Sequence, residues 1–116
     1  MEIDVTGKKY DDGKPQMELL DSHAIEELTC VLTFGAQKYG ADNWREGIQY
    51  RRLIGACLRH IFAWMRGIDA DDESGLHHLA HAMCCLMFII GLDAAGAALR
   101  CDDRFGKLNN QKRNKS

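Results

Sequence analysis

The stretch "DDESGLHHLAHAMCCLMFII", residues 71 to 90, sets a group of acids and three histidines directly before a long apolar run. His78, His81 and Cys85 follow one another at spacings of three and four residues, which place them on one face of an α-helix. The run contains no alternation of apolar and polar residues that would indicate a strand. The sequence therefore predicts a largely buried helix that carries imidazoles near its beginning.

Two further helices are predicted before this one. Apolar residues recur at helical spacing over residues 21–40 and 50–66, and each segment ends at a glycine that suits a C-cap. We expect the third helix to begin with Asp72 or Ser74 as its cap and to continue to about residue 99. No strand pattern or repeat is present, so the sequence predicts an all-α helical bundle.

Composition narrows the class of protein. The chain has 116 residues, of which 46% are hydrophobic, which suits one small domain. Its net charge of −2, with acids and bases interspersed, gives no strong signal of nucleic-acid binding. The longest apolar run is too short to span a bilayer and no signal peptide opens the chain. Five cysteines without a CxxC pair indicate reduced thiols. These features predict a soluble protein of the cytoplasm.

Three regions are predicted along the chain. Residues 1–18 are polar and turn-rich, and we expect them to form a short extended arm that packs on the helical body. The all-α domain should occupy residues 19–104. The remaining segment, 105–116, holds four basic residues with no acid, and we expect a disordered basic tail.

The histidines of the third helix have a predicted partner on the second. His60 lies within the apolar side of that helix, and a short connection favours antiparallel packing of the two helices. His60 should then meet His78 and His81, with Glu73 approaching from the start of the third helix and Glu26 or Glu27 from the first. Imidazoles and carboxylates that converge in a bundle core form a divalent-metal site.

Other interpretations of the same residues stay open. A single histidine on an apolar face is usually a hydrogen-bonded core residue, and His77, a third of a turn away, should lie on the surface. Cys57, His60, His78 and His81 could instead hold a structural zinc ion in a helical interaction module, because their spacings suit tetrahedral coordination.

Four phrases of the sequence resemble a known family. They are "KKYDDGKPQMELL", "VLTFGAQKYGADNW", "LRHIFAWMRG" and "DESGLHHLAHA". Together they are similar to phage-encoded MazG-like dATP/dGTP diphosphohydrolases, which are related to enzymes of the aminoadenine genome pathway. The resemblance implies an all-α nucleotide pyrophosphohydrolase of phage nucleotide metabolism. Such an enzyme cuts a purine deoxynucleoside triphosphate, dATP or dGTP, to the monophosphate and pyrophosphate with Mg²⁺ or Mn²⁺, and it forms dimers or higher oligomers.

The chain departs from the metal-binding pattern of MazG enzymes, whose ligands follow ExxE on one helix and ExxD on another. The segment "HLAH" puts His78 and His81 at the ExxD positions, and "CLRH" puts Cys57 and His60 at the ExxE positions. Imidazole ligands shift the metal preference from Mg²⁺ toward Mn²⁺, Co²⁺ or Zn²⁺.

Individual roles follow as hypotheses. The metal ligands are predicted to be His60, His78, His81 and Glu73. The general base is predicted to be Glu73 or Glu27. The substrate is predicted to bind basic side chains at its phosphates and loop side chains at its base, namely Lys14, Lys38, Arg59, Arg66, Asn43 and Trp44. A phosphohydrolase that releases orthophosphate remains an alternative.

The third helix also predicts self-association. It is apolar nearly all round from Leu79 to Leu92, and a three-helix monomer of this size can bury only part of that surface. We therefore expect a homo-oligomer, either a dimer or a tetramer.

Overall fold

The structure, a computed structural model, describes residues 6–107. Its four α-helices are α1 (Ser22–Tyr39), α2 (Tyr50–Met65), α3 (His78–Ala94) and α4 (Ala98–Cys101), and two 3-10 turns lie at Met17–Leu19 and Asn43–Glu46. These residues contain no strand, only one isolated bridge between Ala70 and His77. The predicted all-α fold is confirmed. Within the same range, no helix combines the length and the apolar character needed to cross a membrane.

Helix α3 lies at the centre and packs against α2 on one side and α1 on the other. Its contacts with α2 form the larger core, which also includes α4. The members of that core are Tyr50, Leu53, Cys57, Ala82, Cys85, Leu92, Ala97 and Cys101. A smaller core joins Val31 of α1 to Ala80 and Cys84 of α3. This central position explains why α3 is apolar in most directions.

Helices α2 and α3 run antiparallel, as the short connection between them predicts. The rings of His60 and His81 stack near one end of the pair. Cys57, one turn before His60 in α2, lies beside Cys85, one turn after His81 in α3. The imidazoles of both helices therefore lie at the end of the bundle where the connecting loop, residues 66–77, joins them.

Local capping fixes the ends of α1 and α2 close to the predicted positions. The Asp21 carboxylate accepts a hydrogen bond from the Ala24 amide at 2.8 Å, and the helix stops at Gly40, which has φ +99°. Helix α2 ends at Met65 with Arg66 as its C-cap, and Gly67, which has φ +90°, follows.

The prediction that α3 begins at Asp72 or Ser74 is wrong. Asp71, not a helix cap, accepts hydrogen bonds from the Ser74 amide and hydroxyl, and so closes a turn inside the 66–77 loop. The flanking residues pair across the loop, with the His78 amide donating to the Asp69 carbonyl at 2.8 Å. The helix begins only at His78. His77, which we expected on the surface, is half-buried and caps α3 by accepting from the Leu79 amide.

The same helix also ends earlier than predicted. It stops at Ala94 because Gly96 adopts φ +82°, and the chain turns into the separate helix α4. From there Arg100 donates a hydrogen bond to the Glu46 carbonyl at 3.1 Å, and the Asp103 carboxylate accepts from the Arg51 amide at the start of α2. The segment after α3 thus braces both the 41–49 loop and α2.

Three further expectations concern exposed parts of the chain. Residues 6–20 are exposed throughout, so the expectation that the arm packs on the helical body is wrong for this range. Trp64 is exposed, although helical spacing from Cys57 and His60 puts it on the apolar side of α2. The predicted disordered tail falls mainly at residues 108–116, which lie outside the described residues.

Candidate functional site

The structure brings His60, His78 and His81 together where α2 and α3 meet the 66–77 loop. The Nδ1 atoms of His60 and His78 lie 2.8 Å apart. The ring of His60 also stacks on that of His81, with centroids 4.5 Å apart and an interplanar angle of 8°. The helical spacing of the histidines thus produces the meeting that the sequence predicted.

Asp71 supplies a carboxylate to this cluster. One oxygen of Asp71 and one ring nitrogen each of His60 and His78 lie within 4.8 Å of one another, close enough to hold a metal ion. Burial opposes ionisation of Asp71, but the hydrogen bonds from the Ser74 amide and hydroxyl, together with the nearby His81 and His60, lower the pKa of the carboxyl. Sequence reasoning missed Asp71. The Asp-x-x-Ser spacing that forms its turn is visible in the sequence, but the predicted helix cap at Asp72 or Ser74 assigns this segment to α3.

The spacing of the two Nδ1 atoms suits a shared cation. Two imidazole nitrogens bound to one ion at about 2.1 Å lie about 3 to 3.4 Å apart, so the pair at 2.8 Å needs to open by only a few tenths of an ångström. Burial, with the neighbouring His81, lowers the pKa of His60, which favours the neutral imidazole that binds metals.

His81 is positioned by Ser74. Its Nε2 lies 2.7 Å from the Ser74 hydroxyl and 3.9 Å from Asp71 Oδ2. An ionised Asp71 has no proton to give, so it accepts the single hydroxyl proton of Ser74, and Ser74 then accepts from His81 Nε2. This chain of bonds leaves the Nδ1 lone pair of His81 unused by Ser74. Burial lowers the pKa of His81, with Asp71 opposing in part.

The two predicted carboxylates lie elsewhere. Glu73 forms an ion pair with Lys38 at the end of α1 and is not among the atoms that could share a metal ion with His60 and His78. Glu27 lies 3.5 Å from His23 on the exposed side of α1. Their assignment as ligand or base rests on sequence position alone.

Cys57 does not join the histidines. It is buried in the larger core beside Cys85, and burial raises the pKa of its thiol, whereas zinc binds the thiolate. The predicted zinc set of Cys57, His60, His78 and His81 is therefore not assembled as one ligand group in the described residues.

A pocket of about 590 Å³ opens beside the histidine cluster, a volume in the range of small-molecule sites. Its walls come from the second half of α1, the 41–49 loop, α2, the 66–77 loop and α3. Its charged, imidazole and amide side chains are Lys38, Asp42, Asn43, Arg45, His60, Asp71, Glu73 and His81.

The predicted substrate-binding residues divide between this pocket and the surface. Lys38, Asn43 and Trp44 line it, while Lys14, Arg59 and Arg66 are exposed and outside its lining. Sequence reasoning missed Arg45, whose Nε lies 3.0 Å from Asp42 Oδ1. Asp42 has φ +59°, an uncommon conformation for a residue with a side chain.

Trp44 is a packed wall of the pocket. Its ring stacks on Phe88 of α3 with centroids 4.6 Å apart, and the Arg45 guanidinium lies 4.3 Å from its centroid. The ring sits against Gly91, where an added Cβ would lie only 2.8 Å from it. These contacts hold Trp44 in place and reduce the ring surface that is free to stack on a base.

The chain is similar in sequence to a phage protein. A protein of Salmonella phage PMBT28, described as a dATP/dGTP diphosphohydrolase, is 47% identical over 88 residues. The match covers 76% of this chain but only 30% of the phage protein, so the chain corresponds to less than a third of that relative. No solved structure matches the chain significantly. Residues 4–104 match the sequence model of one family, and the chain therefore belongs to the family described as dATP/dGTP diphosphohydrolase, N-terminal.

Proposed function

We propose that this chain hydrolyses a purine deoxynucleoside triphosphate, dATP or dGTP, to the monophosphate and pyrophosphate with a divalent metal ion. One observation carries the proposal: His60 and Asp71 of the metal-ligand group line a pocket that also holds Lys38 and Arg45. A site for a cation and side chains for an anion thus share one cavity. The family description and the name of the phage relative support the nucleotide substrate.

The ligand set that we propose is His60, His78 and the Asp71 carboxylate. Asp71 takes the place that Glu73 had in the sequence prediction, because its oxygen lies with the ring nitrogens of the two histidines. His81 stacks on His60 and supports it from the side. A bound divalent ion would act there as a Lewis acid on phosphate oxygens and would activate a water molecule.

The other pocket residues have separate roles in this proposal. Lys38 and Arg45 neutralise phosphate charge, and Asn43 hydrogen-bonds the base. The neutral ring of His81 accepts a water proton at Nδ1, the nitrogen that Ser74 does not occupy. We assign this task to His81, which stacks on the ligand His60, and not to Glu73 or Glu27, which lie outside the metal-ligand group.

Two imidazoles and one carboxylate favour Mn²⁺ or Co²⁺ over Mg²⁺. Mg²⁺ prefers oxygen ligands and octahedral geometry, whereas imidazole suits the later transition ions, including Zn²⁺. Activity should therefore be higher with Mn²⁺ or Co²⁺ than with Mg²⁺.

We also propose that the chain forms a homo-oligomer in the host-cell cytoplasm. Exposed apolar side chains recur along one side of α2 at Ile54, Leu58, Phe62 and Met65, and Phe62 and Met65 are 52% and 68% exposed. A contiguous apolar stripe of this kind marks an interaction surface. Light scattering at micromolar concentration should give at least a dimer mass, and a monomer would contradict the oligomer. The phage origin of the relative and the substrate class support the location.

Nucleotide turnover tests the function directly. The purified chain should be incubated with each of the four dNTPs and with aminoadenine deoxynucleoside triphosphate, with Mn²⁺, Co²⁺, Mg²⁺ or a chelator. We expect pyrophosphate and a purine monophosphate, and no product with chelator. Asp71→Ala should be inactive at an unchanged helical content. Release of orthophosphate alone would show a different phosphohydrolase, and unfolding by chelator would favour a structural zinc ion.

A further inference from the structure

An exposed ion pair lies in the lining of the pocket beside the histidine cluster. Lys38 lies at the end of α1 and Glu73 in the 66–77 loop, and their side chains are 42% and 60% exposed. Both residues line the pocket. The hydrogen bond that Lys38 donates to the Glu73 carboxylate raises the pKa of Lys38, so the ammonium stays charged.

An exposed pair of this kind contributes little to folding stability, because water and salt screen it. Its position gives it a different consequence. The Glu73 carboxylate accepts a hydrogen bond from the Lys38 ammonium, the group that an incoming phosphate would contact. A carboxylate oxygen and a phosphate oxygen accept the same kind of charge-assisted hydrogen bond, so the two compete for Lys38.

The remaining charges of the pocket strengthen this competition. Arg45, the other lysine or arginine of the lining, is itself paired with Asp42. With neutral imidazoles, the lining carries two positive charges on Lys38 and Arg45 and three negative charges on Asp42, Asp71 and Glu73. A polyanion therefore meets cations that are already engaged.

We propose that Glu73 is a competing anion that holds Lys38 in the free protein and is displaced by the polyphosphate of the substrate. This inference rests on the proposed function, since it names Lys38 as a phosphate contact of that same site. A triphosphate, with several charges and a bound cation, displaces Glu73 more readily than a monophosphate does. Glu73 therefore returns to Lys38 after cleavage and favours release of the monophosphate.

Binding of inorganic tripolyphosphate, measured by calorimetry with Mn²⁺ at low salt, tests the proposal without turnover. Glu73→Gln should tighten binding by about twofold to fivefold, the range that an exposed ion pair supplies. Lys38→Met should weaken it by about tenfold. In the double variant, the Glu73 substitution should have no further effect, because its target is gone. Asp72→Asn is the matched control: it removes one negative charge from the same loop without touching Lys38.

Each alternative has its own outcome. Weaker tripolyphosphate or Mn²⁺ binding by Glu73→Gln would make Glu73 a metal ligand and overturn the proposal, as would unchanged binding. Equal tightening by Asp72→Asn would reveal a general charge effect and overturn it too, and so would absence of tripolyphosphate binding in every variant. If the binding pattern holds while no dNTP is turned over, the proposed function fails and the competition at Lys38 stands.

Discussion

Replacement of His78 by alanine should separate metal binding from folding. His78 is 8% exposed, and its Nδ1 lies 2.8 Å from that of His60 within the metal-ligand group. Loss of a residue that only supports a ligand already costs about 10-fold to 100-fold in metal affinity. Because His78 supplies a ligand atom itself, His78→Ala should lose more than about 100-fold, which is more than about 2.7 kcal/mol of binding free energy.

The neighbouring histidine provides the matched control. His77→Ala removes the side chain that accepts the Leu79 amide at the start of α3, and loss of an N-cap costs about 1 kcal/mol of unfolding free energy. His78→Ala breaks the hydrogen bond to His60 and should cost about 1 to 3 kcal/mol. Each kcal/mol lowers Tm by about 4 to 8 °C in a domain of this size. Both variants should therefore melt earlier, but only His78→Ala should lose the metal.

Cobalt absorption titrations and circular dichroism melts on the same preparations measure both quantities. The wild type and His77→Ala should give the same visible band and Co²⁺ dissociation constants that differ by less than about tenfold, the smallest loss expected when a residue that supports a ligand is removed. If His78→Ala also binds Co²⁺ within that margin, the ligand group of His60, Asp71 and His78 is wrong. Equal losses in both variants would indicate that damage to the start of α3 is responsible.

Three other properties can be checked. Gly47→Ala should lower the free energy of unfolding, measured by chemical denaturation, by about 2 kcal/mol or more. Residue 47 has φ +113°, and an added Cβ would lie 2.7 Å from a guanidinium nitrogen of Arg100 in α4. Gly55→Ala inside α2 should instead raise the free energy of unfolding by about 0.5 to 1 kcal/mol. Burial lowers the pKa of His60 and of His81, so the unfolded chain binds more protons than the folded chain below pH 6.5. The free energy of unfolding should therefore fall from pH 7.5 to pH 5, by at most about 1.4 kcal/mol per pH unit for each histidine. A variant with glutamine at both positions should show a smaller fall. Thiol titration of the native protein should modify Cys30 alone, because the other four cysteines are buried. All five cysteines should react after unfolding. Fast reaction of a second thiol in the native protein would contradict the described core.

The pairing of helices and histidines could be predicted because both depend on local spacing. His78 and His81 share a helix face whatever lies around them, and the short connection leaves α2 and α3 few ways to pack. His60 then has to approach the same end of the bundle. Length and apolar content similarly predicted that α3 is largely buried.

The carboxylate partner could not be predicted, because two local structures compete for one pattern. Asp71 and Ser74 suit both a helix cap and a closed turn, and the pairing of Asp69 with His78 decides between them. That pairing depends on the position at which the chain leaves the end of α2. The contact between Lys38 and Glu73 joins residues 35 positions apart and has no signature in either segment.

The placement of Trp44 has a practical consequence for watching this protein work. Its indole lines the pocket and touches both Arg45 and Phe88, whereas Trp64, the other tryptophan, lies exposed on α2. Indole fluorescence is sensitive to nearby charge and to access of water. Trp64→Phe would leave a single tryptophan, at the cavity wall, so that filling and emptying of the cavity can be followed in real time by indole fluorescence without a label.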